Sequence, residues 1–147
     1  MALLMSMLKL DQFIPYRLSV ASNAVSTRIA QSYRKRFGLK IAEWRLIAIL
    51  AESERLTPHA LCEATRMDKI SVSRAAAALI ERGLVEASDN PGDGRSHILS
   101  LTADGHSLYG EIAPTALAME TELLARFTHD ERVLLDALLR RIEAAAY

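Results

Sequence analysis

The 147-residue chain has a single cysteine, Cys62, so it carries no disulfide framework of its own. That usage fits a reducing compartment. No internal repeat, low-complexity tract or linker rich in Gly, Pro or Ser interrupts it. Its one markedly apolar terminus, MALLMSMLKL, is too short to span a bilayer, and neither a preceding basic segment nor an evident cleavage site marks it as a signal. A cytoplasmic protein without membrane partners is expected, with this segment as a dimer-packing arm. No glycine-rich phosphate loop, nucleophile elbow or paired carboxylate in a recognisable setting is present, which argues against an enzyme. His59 and Cys62 stand three apart without a second ligand pair, and His97, His106 and His129 are scattered, so no metal or cofactor is expected. Net charge is also absent, at zero. The charges are unevenly placed, however. Lys9, Arg17, Arg28, Arg34, Lys35, Arg36, Lys40 and Arg45 face only Asp11 and Glu43 in the first part, while acids outnumber bases after Ile98. Such asymmetry can mark a basic binding face, though solvated helix surfaces produce it too.

What is present is mostly helical periodicity. Leu18, Val25, Ile29, Tyr33 and Phe37 form one stripe of a long helix from Pro15 to Phe37, ended by Gly38. A second helix is expected over Ala42–Glu52. Thr57-Pro58 opens a short third helix to about Thr65. Asp68 caps a fourth, KISVSRAAAALIER, which Gly83 stops. Leu84–Ser88 and Arg95–Leu101 read as two short strands around a turn full of breakers, DNPGDG. Thr102 caps a fifth helix to about Phe127, expected to kink at Pro114. Thr128-His-Asp-Glu131 is a capping box before a last apolar-striped helix.

Two helices separated by Arg66-Met67 suit a helix-turn-helix, with Leu56, Leu61, Val72, Ala76 and Leu79 as its small core and Cys62 as filler. The fourth helix carries Lys69, Ser71, Ser73 and Arg74 in its first turns, where a helix in the major groove meets base edges. The bare run Ala75–Ala78 is expected to allow close approach to another surface. A hairpin directly after such a unit is a wing. Arg95 near its tip suits the negative potential of a narrow minor groove. The competing use of Arg95 is a local ion pair with Asp93 or Asp89.

The stretch from Leu56 to Gly105 resembles the winged helix-turn-helix of the MarR family of bacterial transcription regulators. Val72-Ser73-Arg74, Arg82-Gly83-Leu84-Val85, Asp93-x-Arg95 and Leu101-Thr102-x-x-Gly105 carry the likeness, and FGLKIAEWRLIAIL extends it. The resemblance implies a mainly α fold with a two-stranded β wing. One domain over 1–147 would comprise dimerisation helices (about 1–38 and 103–147) around a winged helix-turn-helix (about 42–102). It implies a homodimer on double-stranded DNA at a pseudo-palindromic operator, most simply a repressor, released by a small aromatic acid, phenol or thioester. The DNA-binding residues expected are Thr57, Lys69, Ser71, Ser73, Arg74, Arg95 and His97. The effector residues expected are Tyr16, Ser19, Asn23, Trp44 and Arg45, with Ser26 on the same stripe. The alternatives are a winged-helix protein–protein module and a redox- or metal-responsive regulator.

Overall fold

The computed structural model describes residues 7–147; part of the apolar terminus, residues 1–6, lies outside them. Met7 and Leu8 are exposed. After a single 3-10 turn at Leu10–Gln12, the helices are α1 (Ile14–Ala30), α2 (Arg34–Phe37), α3 (Ile41–Ser53), α4 (Pro58–Thr65), α5 (Lys69–Glu81), α6 (Ala103–Leu123) and α7 (His129–Ala146). Three short strands join them: β1 (Arg55–Leu56), β2 (Val85–Asp89) and β3 (His97–Leu101).

The expected first helix is broken at residues 31–33. There the amides of Gln31, Ser32 and Tyr33 bond three residues back, and the Ser32 hydroxyl donates to the Ile29 carbonyl at 2.6 Å. This tightening turns Tyr33 inward, where it is buried, at the cost of helical continuity. Gly38 ends α2 in the left-handed region, φ +65°. The last carbonyl of α2, on Phe37, accepts from Arg82 Nη2 at 2.7 Å, which ties α2 to the end of α5.

The core is built by α3, α4, α5 and the sheet. Leu46, Ile47, Leu50, Leu61, Val72, Leu79, Val85 and Leu99 are buried together, and Ile112 of α6 joins them. A buried Leu or Val contributes about 1.5–3 kcal/mol, so this cluster dominates the stability of the unit. The wing hairpin pairs β2 with β3 antiparallel, Val85 opposite Leu101 and Asp89 opposite His97. The hairpin was legible in the sequence, but the third strand was not: β1 adds to the outer side of β3, Leu56 opposite Leu99.

α6 runs unbroken through Pro114 and stops at Leu123, short of the expected Phe127. Its start is bolted to the wing root. Thr102 Oγ1 donates to the Gly83 carbonyl at 2.7 Å, and the Thr102 amide donates to the Leu84 carbonyl at 3.1 Å. The Thr128 capping box opens α7 as expected. No described helix is long and apolar enough to cross a membrane.

Candidate nucleic-acid interface

The geometry of the helix-turn-helix begins with its caps. Thr57 Oγ1 accepts from the Ala60 amide at 3.1 Å and starts α4. α4 ends at Arg66, a non-glycine residue in the left-handed region with φ +57°. Thr65 steadies this turn: its hydroxyl donates to the Leu61 carbonyl at 2.6 Å and accepts from the Met67 amide at 3.3 Å. Asp68 then caps α5, accepting from the Ser71 amide at 2.7 Å and the Ser71 hydroxyl at 2.8 Å. These bonds hold the Asp68 carboxyl below its ordinary value of 3.8.

α5 has two faces. Val72, Ala75, Ala76 and Leu79 are buried at helical spacing. Lys69, Ile70, Ser73, Arg74 and Ala77 are exposed on the opposite side. The alanine run is divided between these faces. Ala75 and Ala76 lie in the protein core, and Ala78 with Ser71 and Arg74 lines a shallow groove of about 230 Å³ against Lys40, Ala42 and Glu43 of the α3 entry. Small side chains bring α5 close to α3, leaving the exposed Ala77 as the bare position on the outer side.

The wing tip, residues 90–96, is organised by its own polar side chains. Asn90 Oδ1 accepts from the Gly92 amide at 3.1 Å, and Asn90 Nδ2 donates to Ser96 Oγ at 2.9 Å. Asp93 Oδ1 accepts from the backbone amide of Arg95 at 3.0 Å. Asp93 thus shapes the turn rather than holding the guanidinium. Among the described residues the Arg95 side chain has no ion-pair partner, and the residue is exposed. His97 is exposed at the first position of β3.

A second feature lies away from this face. An apolar cavity of about 470 Å³ opens between Val25 and Ile29 of α1, Trp44 and Ala48 of α3, Tyr109, Ala113 and Leu117 of α6, and Leu135 and Leu139 of α7. The size and lining match a small-molecule site. Its aromatic lining is Trp44 stacked on Tyr109 with centroids 5.9 Å apart; Tyr33, outside the lining, stacks on Trp44 at 5.5 Å. Burial pushes the Tyr33 phenol above its ordinary 10.0, against the pull of the Arg45 and Arg34 guanidiniums, so it stays neutral at physiological pH.

A family model described as the MarR family matches residues 37–96, from the end of α2 through the wing tip. The transcriptional regulator HosA of Escherichia coli O111:H- is 26% identical over 100 residues, covering 68% of this chain and 74% of that protein. The helix-turn-helix and the wing are thus similar to the MarR family. Over nearly its whole length the chain has that fold. The PcaV transcriptional regulator of Streptomyces coelicolor, solved with its natural ligand, superposes with a TM-score of 0.86 at 20% identity, covering 97% of this chain and 100% of that one. A MarR variant from Escherichia coli, solved with operator DNA, gives 0.80 at 23% identity over 93% of this chain and 99% of that one. The chain has the winged-helix fold of those transcriptional regulators.

Within this MarR fold the expected DNA-binding residues separate by role. Lys69, Ser73 and Arg74 share the outer face of α5, and Arg95 and His97 stand on the wing. Ser71 and Thr57 have their hydroxyls engaged in the caps. Ile70, which the sequence reading did not single out, is 64% exposed on the same outer face of α5, between Lys69 and Arg74. Only its departure from the apolar periodicity of α5 could have pointed to it.

The expected effector cluster is not assembled within one chain. Trp44 lines the cavity, but Tyr16, Ser19 and Asn23 are exposed on α1 and do not. Their stripe lies roughly 130° round the helix from the Val25–Ile29 stripe that faces the cavity. Arg45 follows Trp44 by one residue and so turns into a different groove, beside Glu52 and Thr65. The lining residues Tyr109, Ala113 and Leu117 on α6 were not anticipated. Cys62 is half-buried against the core.

Proposed function

We propose that the protein is a homodimeric repressor that reads a pseudo-palindromic operator with two copies of α5 and two wings, and that a small aromatic effector in the apolar cavity releases it. The single observation that carries the DNA reading is the outer face of α5: Lys69, Ser73 and Arg74 are exposed and uncommitted to the core, with Arg95 free on the preorganised wing. Lys and Arg suit guanine O6 and N7, and Ile70 suits a thymine methyl. Arg95 suits a minor groove beside the bound major groove. His97 and the α4 cap at Thr57 are further candidates, with phosphate as the chemistry they would meet. The comparison proteins support both halves, one solved with operator DNA and one with its natural ligand.

Exposed apolar surface supports the dimer. Leu134, Leu135, Leu138, Leu139 and Ile142 of α7 are exposed, as are Val20 and Val25 of α1 and Leu117 and Leu123 of α6. Exposed apolar residues in such a continuous set mark an interaction surface. The chain then divides into dimerisation helices (about 1–38 and 103–147) and a reading unit (about 42–102). The test is a footprint on the protein's own promoter region, paired with light scattering. Two protected half-sites about 10 bp apart and a dimer mass are expected; a footprint without two-fold symmetry overturns the reading. For the effector, the operator complex is titrated with aromatic carboxylates, phenols and aryl thioesters. The sole tryptophan, Trp44, lines the cavity, so its emission should change as the complex dissociates. Release by none of these classes removes the effector half of the proposal.

A further inference from the structure

One stripe of α7 touches two places that matter. Leu135 and Leu139 wall the apolar cavity. Two further steps of four along the same helix, Glu143 and Tyr147 reach the turn of the helix-turn-helix. Glu143 Oε1 lies 3.8 Å from Arg66 Nε, and the Arg66 guanidinium sits 4.3 Å from the centre of the Tyr147 ring. Steps of four follow one slowly winding face of a helix, and twelve residues span about 18 Å. Arg66 is not an arbitrary target. It is the left-handed residue that reverses the chain between α4 and α5. A non-glycine residue in that region is held there by its surroundings. Its position sets where Asp68 caps α5, and therefore how the Lys69–Arg74 face is presented.

We infer that α7 is a connecting rod between the cavity and the reading head, and that Glu143 and Tyr147 are positioning residues that act on DNA binding through Arg66. A ligand that displaces Leu135 and Leu139 moves a helix whose far end contacts the α4–α5 turn through Glu143 and Tyr147. The inference rests on the DNA reading above, and it deepens it: it names the route by which cavity occupancy reaches α5.

The experiment is a double-mutant cycle on the full chain, with variants Tyr147→Ala, Tyr147→Phe, Arg66→Ala and Arg66→Ala/Tyr147→Ala. Two readouts are taken: amide hydrogen exchange over residues 66–71, and affinity for the footprinted promoter fragment. Tyr147→Ala is expected to speed exchange at the turn and shift DNA affinity about three- to tenfold, the scale of one exposed cation–π contact beside a weak ion pair. Tyr147→Phe keeps the ring face and restores both readouts. In the Arg66→Ala background Tyr147→Ala adds nothing, since its effect runs through that guanidinium. A cavity-filling Ala116→Leu, placed in the lining of the same cavity, is expected to change exchange at residues 66–71 in the parent and not in Arg66→Ala. Equal effects of Tyr147→Ala in both backgrounds, or unchanged exchange at the turn, overturn the inference. Exchange needs no DNA, so the grip is decided even if the parent fails to bind the promoter, which would instead sink the DNA reading.

Discussion

At the scale of single residues, the reading unit depends on a few close approaches and caps. Gly105 is the tightest. A Cβ there would collide with the Leu84 carbonyl at the wing root and press on Leu101. The obstacle is backbone that is itself bonded to the Thr102 amide, so it cannot yield cheaply. Gly105→Ala should therefore destabilise the protein by about 1–3 kcal/mol, although alanine is the better helix former. A urea midpoint equal to the parent's contradicts this. Asp68 supplies a pH dependence with a definite sign. Its folded pKa lies below the ordinary 3.8 because Ser71 donates twice to the carboxylate. The folded state therefore binds that proton less readily than the unfolded state. Its contribution is complete above the unfolded pKa and is lost as pH falls through the folded one, from about pH 4 downward. Glu131, held low by Thr128 in the α7 capping box, acts in the same direction. Asp68→Asn keeps a capping oxygen but cannot titrate. Its stability between pH 5 and 2 should fall less steeply than the parent's in denaturant melts; parallel curves contradict the assignment.

At the scale of elements, what could be read in advance was whatever depends on local chemistry. Thr57, Asp68, Thr102 and Thr128 each cap the helix they precede, and Gly38 and Gly83 each stand at a positive φ after one. The α4–α5 pair and the wing followed from those marks and from the apolar spacing between them. What could not be read depends on partners distant in sequence. The break at residues 31–33 exists because Tyr33 is drawn against Trp44, and β1 exists because β3 offers it an edge. The lining of the cavity was illegible for the same reason: α6 and α7 build most of it, and nothing on α1 alone says which of its stripes faces them. The wing carries its own prediction. Arg95 is unpaired among the described residues and sits on a tip shaped by Asn90 and Asp93, so neutralising it leaves the fold intact. Arg95→Gln should weaken promoter binding and lower the slope of log K against log salt by about one, as loss of one phosphate-region cation requires. Arg74→Gln, on the base-reading face, should instead relax discrimination between operator and scrambled DNA. If Arg95→Gln leaves both affinity and salt slope unchanged, the wing is not a DNA contact.

At the scale of the whole molecule, the two ends of the chain behave differently. The reading unit has a buried core of its own, whereas α7 has no buried residue and lays its leucines open. An amphipathic helix gains stability from packing its apolar face, so α7 in isolation is underdetermined. In the proposed dimer a second copy supplies the missing face, and two-fold symmetry makes one patch serve both chains. Leu134 and Leu138, one turn apart and outside the cavity lining, are the positions to test. Leu138→Glu places a charge in the proposed interface without touching the core of the reading unit. The variant should run as a monomer by light scattering, and its melting temperature should lose the concentration dependence that a parental dimer shows. Its affinity for the two-half-site operator should fall far more than its affinity for a single half-site, because the second contact ceases to be intramolecular. A Leu138→Glu protein that remains dimeric moves the interface elsewhere on the surface. One that is monomeric yet binds the full operator as tightly as the parent shows that dimer spacing does not govern recognition.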